Sequence, residues 1–176
     1  MDAKDTLIRA LDTSDYILTK ALERLTREDL AFTPARDCNP IGWMLWHLTR
    51  IEDYMVMDLV ARQTQLWIGE GWHRKFGRLA DPMDTGLGHT AEQVAAFQLP
   101  DEVVALGYFK AVRAATRARL AAFKDADFDT PAKPWMGNGP ERPSGNIMGI
   151  WVGDVLAHTG QIAYLRGMIK GRGWFG

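Results

Sequence analysis

Residues 147–168 read IMGIWVGDVLAHTGQIAYLRGM. Ile147, Trp151, Asp154, His158, Gln161, Leu165 and Met168 recur in alternating steps of four and three, which places them on one face of a helix. Ser144 can cap this helix, and Gly171 stops it with Lys170 in the favourable last turn. A helix over about 144–170 is therefore predicted. Its stripe is apolar except at Asp154, His158 and Gln161. A buried carboxylate without a partner is costly, so this exception calls for a reason.

Three more helices are predicted on either side of a long connection. Residues 4–25 carry Leu7, Leu11, Ser14, Leu18, Leu22 and Leu25 at helical spacing, closed by the turn chemistry of Thr26-x-x-Asp29 and Thr33-Pro34. Asn39-Pro40 reads as an N-cap followed by proline at the first helical position. The helix it opens runs to about Gln63, with Met44, His47, Ile51, Tyr54 and Asp58 as one stripe. Asp101 caps a third helix to about Phe123 with an alanine-rich face. Between them, residues 65–100 are broken by five glycines and two prolines. Thr90-x-x-Gln93 marks a short capped helix at 91–97. A connection of that length is uncommon in a compact domain and is often functional. Proline and glycine fill a second loop at 131–143. No strand alternation competes, so the expected architecture is all-α, a four-helix bundle in one domain spanning 1–176.

Composition narrows the function classes. In 176 residues, 21 Lys+Arg balance 22 Asp+Glu, which argues against a partner recognised by phosphate neutralisation; no nucleic acid is expected. No run approaches about 18 apolar residues and the start lacks a signal-peptide pattern, so no membrane association and a cytoplasmic location are expected. The single Cys38 rules out an internal disulfide. Seven tryptophans are a high count for this length.

Asp154 and His158, at i and i+4, have Cβ atoms about 5–6 Å apart on one helix face. His47 on the second helix supplies a third donor. Helical bundles build metal sites from such inward ligands, and three protein ligands leave a position for water or substrate. Two nitrogens and a carboxylate suit Zn²⁺, Ni²⁺, Mn²⁺, Co²⁺ or Fe²⁺. The competing reading is a hydrogen-bonded Asp154–His158 pair without metal. Trp72, His73 and Arg166 are candidate substrate contacts, with Trp67 and Trp72 walling a pocket. His89 is a further loop histidine that can reach the open end. Glu52 and Asp53 read as plain helix-surface charges, or else as acceptors that orient a ligating histidine.

The segments PIGWMLWHLTRIEDYM and DVLAHTGQIAYLRGM together resemble the DinB-like superfamily of small metal-binding helical bundles, which includes YfiT-like hydrolases. The family's W-x-x-x-H motif falls on Trp43 and His47, and its H-x-x-x-H motif with the following G-Q on Asp154 to Gln161, where this chain reads D-x-x-x-H-x-G-Q. The resemblance implies metal ligands at His47 and His158 and, where the family has histidine, Asp154. It also implies a thiol S-transferase or hydrolase, a low-molecular-weight thiol as possible co-substrate, a small-molecule substrate and a possible homodimer. The alternative function is a non-catalytic small-molecule-binding or interaction bundle with a degenerate, metal-free site.

Overall fold

The computed structural model describes residues 2–175. Eight α-helices follow in order: α1 (Ala3–Leu22), α2 (Arg27–Ala31), α3 (Ile41–Glu52), α4 (Leu66–Gly69), α5 (Trp72–Lys75), α6 (Ala91–Ala95), α7 (Glu102–Ala122) and α8 (Ser144–Lys170). The four long ones form the bundle. α8 packs on α1 and α3, and α7 packs on α3 and α1, so α1 and α3 face each other diagonally. A two-stranded antiparallel ribbon, β1 (Pro131–Ala132) with β2 (Arg142–Pro143), closes the loop before α8.

Local chemistry accounts for most boundaries. The Asp2 carboxylate caps α1 at Asp5 N–H, and that of Asp101 caps α7 at Val103 N–H. Thr90 and Gln93 form the expected capping box on α6. Gly171, at φ +75°, ends α8. Thr26 and Asp29 form a reciprocal capping box that opens α2; they do not merely close α1. Pro40 is the residue before α3, and its first helical residue is Ile41. Ser144 is the first residue of α8, and its hydroxyl donates to the Thr130 carbonyl across the ribbon instead of capping.

The second long helix does not stay α-helical to Gln63. At Asp53 it widens into a π-helical segment, Asp53–Val60. Both Asp53 carboxylate oxygens accept backbone N–H groups of Leu66 and Trp67, which satisfies the free end of α4. Every residue of this segment except Asp58 is buried, as in the α-helical part before it.

The core has two apolar clusters. One gathers Leu18, Leu48, Val112 and Ile162 around Trp46, Trp67 and Tyr108. The other gathers Leu11, Ile51, Leu120 and Val155 around Trp151 and Tyr54. A polar layer lies between them on all four helices. Ser14 and Thr159 hydrogen-bond at 2.9 Å, and Arg113 lies 3.0 Å from Glu52 and 3.5 Å from Asp15. The helix face carrying Asp154 and His158 borders this layer. The fully buried face of α8 is Ile147, Trp151, Val155, Thr159 and Ile162; Gln161 and Met168 are exposed, so the polar stripe runs along the rim of the core and not through its centre. No described helix is long and apolar enough to cross a membrane.

Candidate metal centre

α3 is buried over its whole length, enclosed by α7, α8 and the 65–100 connection. This holds the His47 ring in a low-dielectric wall. α8 presents Asp154 and His158 from the facing side. His47 Nε2 is 3.9 Å and His158 Nε2 3.6 Å from Asp154 Oδ1. The two imidazoles meet nearly perpendicular, with centroids 4.9 Å apart. One ligand atom from each residue lies within 4.8 Å of the others.

These separations are too long for hydrogen bonds, which need about 2.7–3.2 Å. They approach the roughly 3.4 Å between donors of a tetrahedral site with bonds of about 2.0–2.1 Å. The pair reading, with Asp154 hydrogen-bonded to His158, is not what the geometry shows. Asp154 Oδ2 is buried with no hydrogen-bond partner among the described residues. Burial raises the Asp154 pKa, opposed by the neighbouring His158. A cation is the group that would satisfy this carboxylate and both free nitrogens together.

The far side of each ring is already engaged. His47 Nδ1 lies 2.5 Å from the Thr85 carbonyl, and His158 Nδ1 lies 2.7 Å from Gln161 Oε1. Each acceptor requires the Nδ1 to carry the proton, which leaves the Nε2 lone pairs for the site. Burial pulls the His47 pKa down to about 4, partly offset by the Thr85 carbonyl and reinforced by His158 and His89. His47 is thus neutral at neutral pH. Trp43 stacks on its ring at 4.7 Å and 13°. Trp43 Nε1 in turn donates to His89 Nδ1.

Of the residues expected at the site, the fold brings together His47, Asp154 and His158. His89 reaches Trp43 and Trp46, behind His47. Trp67, Trp72 and Phe76 pack around Tyr108 of α7, and His73 Nδ1 bonds the Trp67 carbonyl. Arg166 shares with Thr159 the α8 face turned to α1, and its Nε and Nη1 have no hydrogen-bond partner among the described residues. None of the hydrogen bonds, ion pairs or ring contacts of Trp72, His73 or Arg166 goes to the triad. Glu52 and Asp53 are not surface charges: both are buried, Glu52 beside Arg113 and Asp53 under Tyr108 and the start of α4. Neither bonds a histidine of the site, because each serves a different helix contact.

Sequence reasoning missed Thr85 and Gly86. Gly86 has φ +86°, and a Cβ there would lie 2.7 Å from Trp43, 2.9 Å from Trp46 and 3.0 Å from His47 Nδ1. Only glycine lets the backbone come this close to His47. The glycine-spaced run Thr85-Gly-Leu-Gly-His89 was the available signal.

Fold and site define an all-α bundle with a His-His-Asp cluster between two of its helices. The DinB superfamily pattern matches residues 10–162, and the chain belongs to that superfamily. A conserved protein of Enterococcus faecalis, known from its crystal structure, superposes with a TM-score of 0.83 at 22% identity, over 98% of this chain and 99% of its own; this likeness supports the fold. No curated protein matches the chain.

Proposed function

We propose that the protein is a metal-dependent enzyme of the thiol S-transferase or hydrolase class, acting on a small molecule. The observation that carries this reading is the convergence of two Nε2 atoms, each freed by an Nδ1 hydrogen bond, on a carboxylate with an unpartnered oxygen. Nε2 of His47, Nε2 of His158 and the Asp154 carboxylate would hold a divalent cation of the zinc, nickel, manganese, cobalt or iron group. Such an ion supplies Lewis acidity that activates water or a thiol near neutral pH.

The surrounding chain supplies the rest. Trp43 and the loop through Thr85–His89 keep water from the His47 side. A cavity of about 580 Å³ lies between α8 (Ala157, Gly160, Gln161, Tyr164, Leu165), Met44 and the loop 34–39; none of the three ligands lines it, but Gln161, which holds His158, is in its wall. That size and mainly apolar lining suit a small organic substrate.

The test is elemental analysis of protein purified without added metal and after reconstitution with each ion. We expect close to one ion per chain in the native protein, and loss in His47→Ala and His158→Ala. Less than about 0.2 ion per chain after reconstitution with every ion of the group overturns the reading. Turnover assays with and without a low-molecular-weight thiol then separate transfer from hydrolysis.

A further inference from the structure

One turn after His47, α3 carries an arginine with no accessible surface. A buried guanidinium is expensive unless every donor is met. Arg50 has five N–H donors and five acceptors. Nε donates to the Asp84 carbonyl at 2.9 Å, and Nη2 to the Pro82 carbonyl at 3.0 Å and Gln65 Oε1 at 2.9 Å. Nη1 donates to Tyr108 Oη at 3.1 Å and faces Asp53 Oδ2 at 3.5 Å. The plane lies over the Trp67 ring at 4.6 Å. Two of these acceptors belong to the loop whose next carbonyl, that of Thr85, takes the His47 Nδ1 proton. The same loop is tied again at the Asp84 side chain, which Arg78 holds through Nε and Nη2.

We propose that Arg50 is the positioning residue for His47: its guanidinium fixes the loop Pro82–Gly86 against α3, so that the Thr85 carbonyl imposes the Nδ1–H tautomer and aims Nε2 at Asp154 and His158. The inference rests on the metal centre proposed above for its purpose, though the clamp itself is independent of metal. At His47 the acceptor comes from outside the helix, and a loop brings a carbonyl there only if its register on the helix is held. Pro82 and Asp84 flank Thr85 closely enough that a fork spanning both leaves the Thr85 carbonyl little freedom. Lysine lacks the planar fork that reaches two carbonyls at once.

The experiment compares wild type with Arg50→Lys, and with Gln65→Leu as a milder variant that keeps Arg50 but removes one of its acceptors. Nitrogen-15 NMR of the metal-free proteins reads the His47 tautomer. Competition with a chromophoric chelator reads Zn²⁺ affinity, and circular dichroism confirms folding. We expect the Nδ1–H tautomer in wild type and a mixed population in Arg50→Lys. Zn²⁺ affinity should fall by about 10- to 100-fold, as for other residues that orient a ligating histidine. Gln65→Leu should shift both in the same direction by less. A folded Arg50→Lys protein with an unchanged tautomer and unchanged affinity overturns the proposal. If Arg50→Lys does not fold, unchanged values in Gln65→Leu do so. Wild type that shows the Nδ1–H tautomer yet binds no Zn²⁺ defeats the metal reading alone, and the tautomer comparison still judges the clamp.

Discussion

His47 shows at residue scale how burial keeps an imidazole neutral. Its pKa, lowered to about 4, lies below the usual 6.5, so between these values the unfolded chain binds a proton that the folded one does not. The stabilisation is complete above about pH 6.5 and is lost as pH falls toward 4, by up to about 3 kcal/mol for this group. NMR should accordingly find the His47 ring unprotonated from pH 8 down to about 5. Titration of His47 near 6.5 would mean that water reaches the ring. Gly86 gives a second test. Gly86→Ala forces a methyl against Trp43, Trp46 and His47 at a positive φ. We expect a loss of about 1–3 kcal/mol in urea denaturation, and weaker metal binding because the Thr85 carbonyl is displaced.

The helices are coupled through the polar layer. Arg113 on α7 reaches Glu52 on α3 and Asp15 on α1, while burial raises the Glu52 pKa against the pull of Arg113. Removing the cation alone strands Glu52 in the core. Arg113→Met should therefore cost about 3–5 kcal/mol in urea denaturation, and Arg113→Met with Glu52→Gln should recover much of it. Equal losses in the single and double variants would show that the pair does not act as a unit. The π-helical segment is a second element-scale device. It puts Asp53 where it both receives the Tyr108 hydroxyl and caps α4, joining α3 to α7 and to the long connection.

Over the whole molecule, the candidate centre joins α3 to α8 at the level where the two apolar clusters are separated by polar groups. A cation bound there ties two neighbouring helices in the folded state only. At a free concentration 100 times the dissociation constant it should stabilise by about 2.7 kcal/mol. For a chain of this size that raises Tm by about 5–10 °C in a thermal scan. His47→Ala and His158→Ala should show no such rise; a similar rise in either would place the binding elsewhere. The tryptophans divide along the same lines. Trp43 stacks on His47, so Co²⁺ or Ni²⁺ should quench its emission, whereas Trp67 and Trp72 serve the packing around Tyr108.

The helical periods, the caps at Asp101 and Thr90, the stop at Gly171 and the i, i+4 spacing of Asp154 and His158 are local properties, readable from residue type and spacing alone. The sequence also indicated His47, since a histidine between Met44 and Ile51 on one helix face stands out in one dimension. Three things were settled only by tertiary structure. Glu52 and Asp53 look like surface charges until α7 and α4 bring Arg113, Tyr108 and free N–H groups to them. Helical spacing alone cannot show that Gln161 lies on the rim of the core, because the boundary of the buried face depends on where α1 and α3 touch α8. The Thr85 carbonyl and its Arg50 clamp are backbone and long-range features, and a backbone acceptor leaves no signature in residue type. The three residues were therefore legible in the chain, while the orientation of His47 came from a loop folded back 38 residues away.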